Sequence, residues 1–306
     1  MKMKIYLGIL LNSILLITSK ISYLGEEKEP HLLYPEPHKG WDEGENCNCS
    51  STNHQSPIEI PSMKDQQVEK DDGTFAQIID IVYPKITENL NISVKYDYGH
   101  KWTTKQSDLG TVQIKLNGNL FTYNLKSFHF HLYSEHRLES KQYPMELHLV
   151  HIKNGTNDDN DINKYLVLGI LFDYADDKEN KFLNDIHLSE NKTITDASIS
   201  DLIKKNDTFY YYKGSLTTIP CSENVNWIVF KDVKTMSYEQ YKNFKDWVEE
   251  SEPYYYRNGY GNARGPKRLN GRTIYLENEK GLESSKNNFL VISMVSIWIY
   301  LLLILY

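Results

Sequence analysis

Between Gln55 and Leu276 the chain alternates short apolar runs with turn-forming residues. ISVKYDYG (92–99), TVQIKL (111–116), FTYNLKSFHFHLY (121–133), MELHLVHIK (145–153), YLVLGILFDY (165–174) and WIVFKDV (227–233) show period-2 alternation or a continuous apolar stretch. Both patterns predict strands. LNGN at 116–119 predicts a hairpin turn, because Gly118 accepts the positive φ that a two-residue loop needs. Helical candidates are few: KFLNDI (181–186), DASISDLI (196–203) and SYEQYKNFKDWVEE (237–250). There is no internal repeat, heptad pattern or Gly-rich phosphate loop. The expectation is a mainly β single domain with a large twisted, mostly antiparallel central sheet and short peripheral helices.

The ends follow a different pattern. Residues 1–22, a basic MKMK start and a short apolar run, have the form of a secretory signal peptide. Residues 23–33 are a polar segment, and the domain is expected over 34–277. A polar spacer with small residues (278–288) then precedes an uncharged hydrophobic tail (289–306). That order fits a GPI-attachment signal, with a retained transmembrane helix as the alternative. The expected location is the extracellular face of the plasma membrane, reached by the secretory pathway. Sequons at Asn48, Asn91, Asn154, Asn191 and Asn206 agree with export, although each alone is a weak signal.

Composition narrows the partners. The 306 residues are 40% hydrophobic, enough for a large core, and the formal charge is -7. No basic run is long enough to track a phosphate backbone, so no nucleic acid partner is expected. Of three cysteines, Cys47 and Cys49 are too close to bridge each other comfortably. One of them must reach Cys221, leaving a free thiol or an intermolecular contact and hence a possible homodimer.

The candidate chemistry lies in FHFHLYSEHRLESKQYPMELHLVH (128–151), which holds five of the ten histidines. A strand places i and i+2 on one face, so His129 and His131 point together. An antiparallel partner entered through RLESKQYP brings His148 beside them, with Glu146 and Val150 on the same face as His148 and His151 on the other. Three imidazoles with no fourth protein ligand suit a catalytic zinc, which keeps one position open. The plain alternative is a set of sheet histidines bonded to nearby carboxylates.

These residues also resemble the signature of the α-class carbonic anhydrases. The resemblance extends through QSPIEI (55–60), YGHKW (98–102), YLVLGIL (165–171), YKGSLTTIPCSENVNWIV (212–229) and NARGPKRLNGR (262–272), covering roughly residues 34–277. It implies one Zn2+ per chain held by His129, His131 and His148. The implied activity is reversible hydration of carbon dioxide to bicarbonate and a proton, with zinc hydroxide as nucleophile. A catalytically silent binding or adhesion module is the alternative.

By the same resemblance, Glu146 accepts the N–H of His148, Ser127 stands behind His129, and the Asn262 backbone carbonyl supports a second ligand. Thr217 donates to Glu135 while accepting from the hydroxide. Val150, Val167, Leu216 and Trp227 wall the carbon dioxide site, Thr218 borders the product, and His100 shuttles protons, with an ordinary turn histidine as its plain alternative. His136 and His151 are expected to be structural, His136 by bonding backbone or Tyr groups. Cys49–Cys221 becomes the expected bridge and Cys47 the leftover thiol. The chain departs from the pattern at Tyr98, at Ser127 where Gln is common, at Leu132-Tyr133, and at Ile219-Pro220.

Overall fold

The computed structural model describes residues 49–51, 53–65, 67–70, 73, 75–87, 90–95, 99–104, 109–175, 178–188, 196–251 and 263–279, with backbone alone for 90–95 and 99–104. All of them belong to one compact unit. The expected signal peptide, polar segment and tail lie outside the described residues, as do residues 280–288 of the spacer and Cys47.

Among the described residues fifteen strands follow in chain order: β1 (Glu59–Ile60), β2 (Val68–Lys70), β3 (Ala76–Val82), β4 (Leu90–Lys95), β5 (Gly99–Thr104), β6 (Thr111–Leu116), β7 (Asn119–Leu132), β8 (Arg137–Leu138), β9 (Lys141–Gln142), β10 (Met145–Lys153), β11 (Tyr165–Tyr174), β12 (Phe209–Gly214), β13 (Val225–Phe230), β14 (Lys234–Met236) and β15 (Ile274–Glu277). Two α-helices, α1 (Lys181–Asp185) and α2 (Tyr238–Ser251), and a 3-10 turn at Ile199–Asp201 lie among them. Twelve strands form one sheet, with a main path β2-β15-β12-β13-β11-β10-β7-β5-β4. The pairs β11–β13, β11–β14 and β15–β2 are parallel and the remaining ladders of this sheet are antiparallel.

Local chemistry explains the punctuation. Asn117 (φ 48°) and Gly118 (φ 77°) make the left-handed turn that joins β6 to β7 in register Leu116↔Asn119. Ser237 caps α2 reciprocally: its hydroxyl accepts the Gln240 N–H and Gln240 Oε1 accepts the Ser237 N–H, both at 3.1 Å. Two details differ from the sequence reading. RLESKQYP is not a plain turn but contains the small β8–β9 hairpin, itself paired to β1. His100 lies inside β5 rather than in a turn, because 99–104 pairs with both β4 and β7.

A bulge decides which side chains meet. Opposite Val150 and His151 of β10 stand Ser127 and Leu125 of β7, so exposed Lys126 is passed over. The skipped residue reverses the alternation of β7. Tyr123 and Leu125 before it, and Phe128, Phe130 and Leu132 after it, all enter the same large core with Leu147, Leu149, Leu168 and Ile228. Ser127, His129 and His131 are thereby turned to the opposite face. On that face a smaller cluster contains Val167, Leu171, Tyr212, Trp227 and Val229, with Val150 and Leu216 packed against it.

His151 is buried on the large-core side. Its Nδ1 faces the carbonyls of Leu149 (3.0 Å) and Leu166 (3.2 Å) and so carries the proton, while Nε2 accepts from the Tyr83 hydroxyl at 2.8 Å. Burial pushes its pKa down to about 4, against the two carbonyl bonds that favour the cation. Above pH about 6.5 both folded and unfolded states leave His151 neutral. Between about 6.5 and 4 only the unfolded chain takes up the proton, so acidification removes stability, by about 3 kcal/mol at most. Denaturant titrations at pH 7 and pH 4 should therefore show a His151→Gln chain losing about 3 kcal/mol less than wild type. Equal losses would remove His151 from the acid response.

Candidate metal centre

Four adjacent strands, β13-β11-β10-β7, build the site. His148 lies directly opposite His129 in the β10–β7 ladder, and His131 lies opposite Glu146. Ring centroids are 4.8 Å apart for His129–His131, 5.1 Å for His129–His148 and 4.6 Å for His131–His148. One nitrogen from each ring comes within 4.8 Å of the others. His131 and His148 are almost completely buried, and His129 is half-buried.

Glu146 organises the centre from beneath. Its Oε1 accepts from His148 Nε2 (2.8 Å) and His136 Nδ1 (2.7 Å), and its Oε2 accepts the backbone N–H groups of Glu135 and His136 (2.8 Å each). Burial alone would raise this carboxyl, but the His136 and His148 charges and hydrogen bonds outweigh it and hold Glu146 well below the usual carboxylate range. On His148, burial lowers the pKa, yet Glu146 overcomes that and raises it. With Nε2–H committed to Glu146, the His148 Nδ1 lone pair is the atom presented to a metal, and a basic donor binds more firmly.

His136, Glu146 and His148 also form a group compact enough to hold an ion. Here the three are joined to one another by hydrogen bonds instead. His136 Nε2 lies 2.6 Å from the Tyr212 hydroxyl, which lies 3.0 Å from Ser56 Oγ. Both His136 nitrogens are thus engaged, and the group acts as the support of the first cluster. The sequence leads to backbone or Tyr groups as partners of His136 but not to Glu146. That link needed the fold of 134–136 back over β10, which no local pattern reveals.

Glu135 is fully buried; its Oε1 accepts the Arg264 N–H at 2.8 Å. The expected bond from Thr217 is not made, and Glu135 Oε2 has no hydrogen-bond partner among the described residues. The carboxylate is drawn to the imidazoles, with Oε1 3.5 Å from His131 Nδ1 and Oε2 3.9 Å from His148 Nδ1. Ser127 is buried on the histidine face of β7, opposite Val150.

An apolar wall adjoins the cluster. Val150 pairs with Val167, and Val167 with Trp227. The Trp227 ring is 4.8 Å from that of His148. Leu216 packs on the same cluster, and Thr217 and Thr218 are buried beside it in sequence.

The 215–222 loop is tied down from several directions. Trp227 Nε1 donates to the Ser215 carbonyl (2.9 Å), and Ser56 and Ser215 exchange backbone-to-hydroxyl bonds of 2.9 and 3.0 Å. Cys49 and Cys221 form a disulfide. Arg264 donates to the Cys49 carbonyl, Gln55 Oε1 and the Ser56 carbonyl.

Asn262, Asn48 and Asn191 lie outside the described residues, and the side chains of His100 and Asn91 are likewise undescribed. Asn154 and Asn206 are exposed.

The comparisons fit this architecture. Residues 36–278 match the model of the eukaryotic-type carbonic anhydrases. The chain belongs to that family. A carbonic anhydrase from the alga Dunaliella salina is 30% identical over 287 residues, covering 84% of this chain and 46% of its own length. The chain thus spans about half of that relative. Among solved structures, the α-carbonic anhydrase of Thermovibrio ammonificans in complex with the inhibitor sulfanilamide is 29% identical at TM-score 0.55, covering 74% of this chain and 89% of its own. Dioscorin complexed with ascorbate is 25% identical at TM-score 0.60, covering 76% and 90%. The mostly β mixed sheet with two α-helices among the described residues is the carbonic anhydrase fold.

Gly169 gives this carbonic anhydrase fold a tight constraint. It stands opposite His148, and a Cβ there would lie 2.8 Å from Glu146 Oε1. Gly169→Ala should displace the carboxylate from His148 and weaken any metal binding at the three-histidine cluster about 10- to 100-fold, as measured by chelator competition. Unchanged affinity would show that Glu146 does not orient the ligand.

Proposed function

We propose that the chain is a zinc-dependent carbonic anhydrase of the outer cell surface. The observation that carries this reading is the convergence of three imidazole nitrogens beside an apolar wall. The residues fit the metal by donor chemistry: three imidazole nitrogens, one ring supported by a carboxylate, and no thiolate in the cluster. His129, His131 and His148 would hold one Zn2+, with Asn262 supporting a ligand through its backbone. When bound, zinc supplies the acidity that makes hydroxide available near pH 7, a behaviour for which carbonic anhydrase is itself the reference case.

The remaining work belongs to the chain's own side chains. Val150, Val167, Leu216 and Trp227 exclude water and offer carbon dioxide, an apolar substrate, a surface it can occupy. Thr217 orients the nucleophile, because a hydroxyl that donates to a carboxylate has only lone pairs left to offer and must accept. Glu135 would supply that carboxylate through Oε2, which has no hydrogen-bond partner among the described residues, once its side chain turns from the imidazoles toward Thr217; its other oxygen is held by Arg264. Thr218 borders the product.

His100 moves the proton to solvent. Its backbone adjoins Lys101, which pairs with His129, and an imidazole of ordinary pKa near 6.5 both takes and releases protons near neutrality. The signal-like start, the sequons and the Cys49–Cys221 disulfide support an oxidising, extracellular location, with attachment through a lipid anchor or tail helix.

A second reading is a binding module, favoured by the likeness to dioscorin, which was solved with ascorbate. Metal analysis and stopped-flow hydration separate the two. The enzyme reading expects one zinc per chain and hydration that a sulfonamide blocks, since the Thermovibrio relative binds one. Folded, metal-free and inactive protein would establish the module. His100→Ala should lower turnover at least tenfold in dilute buffer, and small imidazole buffers should restore it. Undiminished turnover would exclude His100 as the shuttle.

A further inference from the structure

Lys213 stands apart from the proposed centre, on β12, and the sequence reading gave it no role. Its side chain is half-buried where β12 meets the 154–164 loop. Among the described residues, Nζ contacts only neutral acceptors, Asn163 Oδ1 and the Ile162 carbonyl at 3.5 Å.

The nearest carboxylate is already committed. Asp161 Oδ2 accepts from Thr156 and pairs with Lys153, and Oδ1 accepts the Asn163 N–H. Neighbouring Lys164 pairs with Asp159. The Arg272 guanidinium meets Lys213 only at its backbone carbonyl, 3.0 Å away. The Tyr123 hydroxyl donates to the Asn163 carbonyl, and Asn226 Nδ2 to Asn163 Oδ1. Lys213 therefore has a partly desolvated ammonium without a counter-ion among the described residues, while Lys153 and Lys164 beside it each have one.

Taking these contacts together, we infer that Lys213 is a carbon dioxide-binding amine that forms a carbamate. In the step, the neutral Nζ attacks the carbon of carbon dioxide, the N–C bond forms as one C–O π pair moves to oxygen, and a proton leaves nitrogen for solvent. The product is –NH–COO⁻, and nothing is oxidised or reduced. The carbamate N–H still has the Ile162 carbonyl as acceptor. Asn163 is the adaptable partner, because a turned carboxamide offers N–H groups to the new carboxylate.

The competing proton is weakly held. Burial lowers the Lys213 pKa to about 8, against the opposing influence of Asp161. At pH 8 about half of such an amine is neutral, whereas an ordinary lysine with pKa about 10.4 is neutral in less than about 1% of molecules. The neutral, carbon dioxide-reactive form of Lys213 is therefore far more populated at pH 8 than that of a surface lysine.

The test is carbon-13 NMR of the full chain in labelled bicarbonate at pH 7 to 9. Carbamates at the α-amino terminus and other lysines persist in every variant and serve as the internal reference. The expected result is a carbamate carbonyl resonance present in wild type, absent in Lys213→Arg and absent in Lys213→Met. The Arg variant keeps the charge and size, and its near-wild-type melting temperature would show that loss of signal is not loss of fold. As a second measurement, amine-selective acylation followed by peptide mapping should show Lys213 labelling that levels off above about pH 8, while labelling of exposed lysines keeps rising. A carbamate spectrum unchanged by both substitutions, or Lys213 labelling that rises with pH like that of exposed lysines, would overturn the inference. Neither readout depends on bound zinc or on hydration activity, so it stands or falls separately from the proposed function.

Discussion

One buried carboxylate holds the site together. Glu146 accepts from two imidazoles and two backbone amides, so its charge is fully compensated inside the protein. Isolated burial of such a group would cost several kcal/mol. The four donors offset that cost: the Glu135 and His136 amides, the His136 ring, and His148 of β10. Through His136 and Tyr212 the same carboxylate reaches Ser56, and through Ser56 it reaches the 215–222 loop.

A second set of contacts closes the site from above. Arg264 touches Cys49, Gln55, Ser56 and Glu135, four groups that lie more than 120 residues away in sequence. The Cys49–Cys221 bridge and the Trp227-to-Ser215 bond fix the two ends of the threonine loop. The QSP segment is therefore a structural clamp: Gln55 Nε2 binds the Cys221 carbonyl and Glu223, and Ser56 binds Ser215. Rigid placement of Thr217 and Thr218 follows from these bonds rather than from the loop's own conformation.

The two faces of the sheet divide the labour. One carries the large apolar core, and the other carries histidines, a carboxylate pair and a small apolar cluster. Close packing on the first face leaves the second free to hold polar groups at fixed separations. The β7 bulge is what joins them, because it lets one 14-residue strand serve the core with Leu125 and with Phe128 while presenting His129 and His131 elsewhere.

Much of this was legible before the structure. Alternation in FHFH and MELHLVH placed the three histidines and Glu146 on shared faces, because side-chain direction along a strand is set by local backbone geometry. The LNGN turn followed from the φ that Asn and Gly tolerate. The resemblance, not the spacing, singled out Cys49 over Cys47 and brought Val167, Trp227 and Leu216 to the wall. Other features escaped any local reading. The skipped Lys126 leaves no composition signal, the Glu146–His136 bonds require 134–136 to fold back on β10, and Glu135 turns to imidazoles rather than to Thr217. Which faces a side chain can share is a property of neighbouring residues; which distant group it finally meets depends on how strands stack and on which buried charge needs neutralising, and only the packed chain decides that.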